Sequence, residues 1–179
     1  MKFLKKLFYW LLFIIALVLV ISLFLPTQFQ VERSAMISQP KTRVFEYIKL
    51  LKNQEIYSVW WKADPGMKKS YTGTDGQPGF ISSWNSKNKD VGSGQQKIIA
   101  IQDGQRIDTE LKFFEPFEST NQAFLSTEEV DQNNTRVSWG ISGNMPYPTN
   151  FMSIFINMEE TLGNDLEKGL KNLKRILEK

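Results

Sequence analysis

Between positions 7 and 25 the only plainly polar side chain is Ser22, and the run is bounded by Lys2, Lys5 and Lys6 before it and Pro26 after it. At about 1.5 Å per residue, a helix of this length reaches roughly 28 Å, close to the hydrocarbon thickness of a bilayer. Tyr9 and Trp10 stand near the lysine-rich end, where amphipathic rings favour the membrane interface. The run therefore predicts a cytoplasmic end and a transmembrane helix over residues 1–26, followed by one soluble domain over residues 27–179. The lysines hold the N-terminus in the cytoplasm by the positive-inside bias, which predicts a periplasmic or extracellular domain. A cleaved signal peptide shares the same opening pattern. The run is long for that purpose, and Ser22 with Val20 two residues before it makes a poor cleavage site.

Charge is distributed accordingly. The formal net charge is +3, yet no acidic residue precedes Glu32. Without the three lysines of the leading segment, Lys and Arg match the 19 Asp and Glu, so the soluble part is neutral. A nucleic-acid binder concentrates positive charge on its folded domain, because phosphate contacts dominate that affinity; no nucleic-acid partner is expected. The chain has no cysteine and no histidine. Disulfides, Cys/His metal sites and cysteine nucleophiles are excluded, as is the commonest general base near neutral pH. No metal site, cofactor or catalytic residue is assigned. Aromatic residues make up 13% of the chain, enough for a large core or an aromatic-lined cavity.

Residues 28–38 alternate as a strand, with Phe29, Val31, Ala35 and Ile37 on one face and Arg33 interrupting it. Ser38-Gln39-Pro40 signals a helix start, and Val44, Phe45, Ile48 and Leu51 repeat at helical spacing. A second short helical piece runs through Ile56, Val59 and Trp60. After Asp64-Pro65-Gly66 the pattern changes to strands separated by glycine-rich turns, over 67–73, 80–86, 94–102, 106–114, 117–130 and 135–143. The strand at 106–114 is the clearest: Arg106, Asp108, Glu110 and Lys112 alternate with Ile107, Thr109, Leu111 and Phe113. Asp131-Gln132-Asn133-Asn134 has the composition of a hairpin turn. Helical spacing resumes near Asn150, and Leu162, Leu166, Gly169, Leu170, Leu173 and Leu177 form one stripe. Gly163 and Gly169 each cost about 1 kcal/mol relative to Ala inside a helix, which points to close backbone packing or a bend.

The order is one strand, two short helices, about six strands and a long amphipathic helix: an α+β domain whose sheet must wrap that helix to cover its stripe. Several phrases resemble the START-like superfamily, specifically the polyketide cyclase/dehydrase type within the SRPBCC group. They are Val44-Phe45, Tyr57-Ser58-Val59-Trp60 with Lys62-Ala63-Asp64-Pro65, and Tyr71-Thr72-Gly73. Gly79, Trp84, Val91-Gly92-Ser93-Gly94 with Ile98, Arg106-Ile107 and Phe114-Glu115-Pro116 continue the series. Thr135-Arg136-Val137-Ser138-Trp139 and Gly163 through Glu167-Lys168-Gly169-Leu170 complete it, so the resemblance spans residues 29–178. The chain departs from the family at Val59, where a proline is common, and at Phe80, where a small residue is common. An inward Phe80 would take cavity space. The resemblance implies a helix-grip fold, a curved antiparallel sheet of about seven strands around the C-terminal helix, with an apolar pocket between them.

Trp60, Trp61, Trp84, Phe113, Phe124, Trp139 and Phe151 are the large groups expected near such a pocket. Strand alternation turns Trp84, Leu111, Phe113, Val137 and Trp139 inward. The cavity wall is therefore expected to include Trp60, Trp84, Leu111, Phe113, Phe124, Trp139 and Phe151, with Leu162 and Leu166 from the last helix. Asp108 and Glu110 read as solvent-facing, Asp64 as a turn residue, and Glu159-Glu160 as an acidic first helical turn. Gly92-Ser93-Gly94 reads as a turn or bulge, far short of a phosphate loop. Three functional readings stay open: a membrane-anchored binder of a hydrophobic small molecule or lipid, a cyclase- or hydratase-type enzyme, and an envelope interaction or stress protein without a ligand.

Overall fold

A computed structural model describes residues 2–89 and 91–179, with the backbone alone at Lys2. Met1 and the Lys2 charge, both assigned above to the cytoplasmic end, lie outside the described part. Helix α1 covers Lys2–Ser22 and is apolar and long enough to cross a membrane. Pro26 precedes β1, Gln28–Ile37. Three short helices follow: α2 over Lys41–Ile48, α3 over Leu51–Tyr57 and α4 over Val59–Lys62. The sequence suggested two. The apolar repeat through Leu51 is broken at Leu50, whose backbone is extended, and α3 starts afresh. Its N-terminal amides are met from elsewhere in the chain: Leu51 N and Lys52 N donate to the Asp75 carboxylate at 2.8 and 3.1 Å. That cap comes from 24 residues downstream.

The remaining strands are β2 (Lys68–Thr72), β3 (Ile81–Asn85), β4 (Ser93–Gln102), β5 (Arg106–Glu115), β6 (Ser119–Asp131) and β7 (Asn134–Asn144). All neighbours are antiparallel, in the order β1-β7-β6-β5-β4-β3-β2. Gly92 has a φ of +63°, and the register shifts between Ser93 and Gly94, so the Gly-Ser-Gly phrase is a turn leading into a bulge. A 3-10 segment at Thr149–Ile154 precedes α5, Met158–Leu177. The long helix thus starts later than its apolar spacing suggested. Asn157 caps it, accepting from Glu160 N at 3.1 Å, and Glu159 and Glu160 occupy its first turn.

The core joins Val31, Ile37, Ile107, Leu125 and Val137 of the sheet to Val44, Phe45 and Ile48 of α2. Leu166, Leu170 and Leu173 of α5 complete it, all at most 1% exposed. Each buried leucine contributes about 1.5–3 kcal/mol, well above the roughly 1 kcal/mol each helical glycine costs. The glycines are there for space. A Cβ at Gly163 would overlap the Arg33 guanidinium, and one at Gly169 would stand 2.6 Å from Trp139 Cζ3. Arg33 therefore keeps the inward register of β1 without breaking it. Its guanidinium donates to Glu159 Oε1 at 2.7 Å and to the Glu159 carbonyl at 3.1 Å, over the bare backbone of Gly163. The domain has the helix-grip architecture: seven antiparallel strands curved around a C-terminal helix.

Candidate functional site

Between the concave face of the sheet, the α3–α4 corner and the first turns of α5 lies a cavity of about 380 Å³. Indole rings build much of its wall. Trp60 meets Trp139 edge to face at 5.7 Å, Trp84 meets Phe113 at 5.6 Å, and Trp61 meets Trp84 at 6.0 Å. Gly94 admits the Trp84 ring, since a Cβ there would stand 2.6 Å from Cζ2. The sheet's alternation supplies Leu111, Ala123 and Ile141, and α5 supplies Met158 and Leu162.

Of the residues singled out from sequence, Trp60, Trp84, Leu111, Phe113, Trp139 and Leu162 line this space. Phe124, Phe151 and Leu166 do not. Phe124 lies in phase with Gln122 and Ser126 and faces outward, where the Arg106 guanidinium carbon stands 3.9 Å from its ring centroid. Ala123 and Leu125 take the inward positions of β6. The polar partners of Phe124 in the strand alternation carried that signal. Phe151 belongs to the 3-10 segment and meets Phe155 edge to face at 5.5 Å, outside the cavity. Leu166, one turn beyond Leu162, is already in solid core. Phe80 is also core, parallel to the Tyr71 ring, and takes no cavity space.

The polar lining escaped sequence reasoning. Gln54, Ser58, Gln96 and Asn121 all reach the cavity. Gln96 is engaged: its Nε2 donates to Thr109 Oγ1 at 3.1 Å, and that hydroxyl donates to the Ala123 carbonyl at 3.3 Å. Gln54 Oε1 and Ser58 Oγ are buried without a hydrogen-bond partner. Behind them Tyr57 is fully buried, edge-on to Trp139 at 5.7 Å. Burial, and secondarily Tyr47, pushes its phenol far above the usual range. Among the described residues that line the cavity, none is ionisable.

The strand register fixes which end of the sheet holds the cavity. Gln28 pairs with Asn144, Ser93 with Glu115, and Phe113 with Ser119, so these residues mark one end. Phe29, Trp84, Phe113 and Asn121 sit at that end, and Ile37, Gln102 and Asn134 at the other. The same end receives α1. Asn150 Nδ2 donates to the carbonyls of Ser22 and Leu25 at 2.8 and 3.1 Å, and Ser22 Oγ donates to the Val18 carbonyl at 2.7 Å. A second groove, beside Pro26, Ile154 and Phe155, shares Phe29 and Met158 with the cavity. Ile154 and Phe155 of that groove are exposed, Phe155 to 70%, as are Phe117 in the β5–β6 turn, to 82%, and Tyr147 and Met152 ahead of α5.

No family model matches the chain. No curated protein matches it either. Solved structures do. Norcoclaurine synthase from Thalictrum flavum, in complex with dopamine and hydroxybenzaldehyde, aligns at a TM-score of 0.60 and 8% identity, over 88% of this chain and 90% of that one. A protein from Nitrosospira multiformis aligns at 0.56 and 18%, over 83% and 95%. The Aha1 dimer from Colwellia psychrerythraea aligns at 0.56 and 13%, over 84% and 96%. At these identities what is shared is the fold, the helix-grip arrangement of a curved antiparallel sheet around a C-terminal helix.

Proposed function

We propose that this chain is a membrane-tethered binding module that takes up a hydrophobic or amphipathic small molecule, lipids included, between its sheet and α5. The observation that carries the reading is the coincidence of two features: an aromatic-walled cavity and the end of a membrane-length helix occupy the same end of the sheet. Pockets for small molecules are concave and mostly apolar with a few placed polar groups, and this cavity has that composition. The exposed apolar side chains of residues 147–156 and Phe117 would then lie at the level where α1 leaves the bilayer. Large exposed apolar patches of this kind mark interaction surfaces. The groove shared through Phe29 and Met158 would give the ligand a short route from lipid to cavity.

In this reading the lysine-rich end of α1 stays in the cytoplasm and the domain stands on the opposite side. Since the chain has no cysteine, one introduced at Lys87 and challenged with a membrane-impermeant maleimide tests that topology. A cyclase or hydratase would need an ionisable group in the cavity to move protons. None of the described lining residues provides one, which favours binding over catalysis.

The direct test is purification of the full chain in lipid nanodiscs, extraction into organic solvent and mass spectrometry against empty nanodiscs. An apolar compound enriched in near-stoichiometric amount supports the proposal. A protein that carries none and takes up no added apolar probe sinks it.

A further inference from the structure

Most of the cavity wall is aromatic or aliphatic, drawn from β1, α4, β3, β5, β6, β7 and α5. Gln54 and Ser58 stand one helical turn apart at the C-terminal end of α3. Both are well over nine-tenths buried, at 4% and 1% exposure. Gln54 Oε1 can only accept, and Ser58 Oγ can donate or accept. A buried polar atom without a partner costs the full loss of its hydration. Leaving two of them one helical turn apart on the wall of a mainly apolar cavity therefore selects for a guest that satisfies both. The other polar chain, from Gln96 through Thr109 to the Ala123 carbonyl, is already closed on itself. It makes no comparable demand.

A single hydroxyl answers the pair, because one oxygen donates to Gln54 Oε1 while accepting from Ser58 Oγ. An anionic head is disfavoured there, because no described lining residue carries a positive charge to balance it. Resting on the ligand-binding reading above, we infer that the molecule held here is an uncharged alcohol or phenol. Its hydroxyl lies against Gln54 and Ser58 and its apolar body against the Trp60, Trp84 and Trp139 rings.

Three bicyclic probes of nearly equal shape test this on the full chain in nanodiscs, with matched empty nanodiscs subtracted: 2-naphthol, 2-methylnaphthalene and 2-naphthoate. The hydroxyl compound should bind roughly five- to tenfold more tightly than the other two, the effect of one satisfied hydrogen bond in an apolar site. Gln54→Leu and, separately, Ser58→Ala should erase that preference, read as the ratio of 2-naphthol to 2-methylnaphthalene affinity within each variant. Two variants guard against one that fails to fold, and the wild-type ranking stands without either. Equal binding of naphthol and methylnaphthalene overturns the inference and leaves the binding reading intact, as does tighter binding of the carboxylate. Preference unchanged in both folded variants overturns it too. Retention of none of the three probes overturns the binding reading itself, and this inference with it.

Discussion

Trp139 points the edge of its indole at the backbone of α5 at Gly169, so close that a single methyl carbon at that position would stand 2.6 Å from its Cζ3. The same ring forms part of the cavity wall and receives the edge-on contacts of Tyr57 and Trp60. Helix position and wall shape are thereby set by one contact. Gly169→Ala gains about 1 kcal/mol of helix propensity yet forces α5 or the indole to move. Overpacking of this kind costs about 1–3 kcal/mol. The expected outcome is a net loss of stability in urea unfolding, together with weaker probe uptake. An unchanged or raised midpoint would show that the ring yields freely.

Filling the cavity should separate binding from folding. Leu111→Trp places a larger ring where space already exists, so its thermal midpoint should stay near the wild-type value. Uptake of a neutral naphthalene probe should fall about tenfold or more, since the added ring occupies much of the space a bicyclic guest needs. Equilibrium dialysis of nanodisc-embedded protein reads this directly.

The cap that Asp75 provides for α3 is a charge-assisted contact with two otherwise orphaned amides. Asp75→Ala should cost about 1–2 kcal/mol, the upper part of the range for lost helix caps. Because α3 carries Gln54, amide exchange over residues 51–57 should quicken more than exchange in α5. Uniform quickening would argue that the cap serves the whole domain equally.

Glu178 lies below the ordinary carboxylate value of 4.5, first through the Lys174 ammonium and then through Ser38 N. These donors approach Oε1 at 2.7 and 2.6 Å. A depressed carboxylate stabilises the fold above its unfolded value, and that contribution disappears as pH falls through the folded value. Stability should therefore drop below about pH 4.5, with fraying where the end of α5 meets the end of β1. In Glu178→Gln that part of the acid sensitivity should be absent, as followed by acid titration of helix content.

An environment-sensitive dye placed by cysteine substitution reports which end of the sheet meets lipid. Attached at position 155 in the exposed patch, it should be quenched by brominated lipids. At position 130, near the far hairpin, it should not. Equal quenching at both sites would remove the argument for a membrane-facing opening.

Much of this arrangement is legible in residue order. The alternation in 106–114, the leucine stripe of α5 and the turn chemistry at Asp131 each have a local period or composition, and strand, stripe and turn formed as read, although α5 itself begins only at Met158. Two α5 glycines, anomalous for a helix, correctly signalled close packing, although their partners Arg33 and Trp139 lie in other strands. What escaped was long-range. Nothing near Leu51 announces that Asp75 will cap it, and nothing near Gln54 announces that its amide will look into a cavity instead of water. Phe124 misled because size suggested an inward ring, whereas its phase with Gln122 and Ser126 put it outside. The break between residues 150 and 157 was hidden because Asn150 serves the end of α1 and not the helix that follows.

That asparagine has a mechanical consequence. With its side chain grasping two carbonyls just before Pro26, α1 joins the domain as a mast joins a hull, leaving little slack for swivelling. On the membrane-tethered binding reading proposed above, such a joint would hold the cavity mouth at a constant height above the headgroups. Cargo exchange would then depend on lateral traffic within the lipid sheet, and any soluble acceptor would have to come down to that surface to collect it.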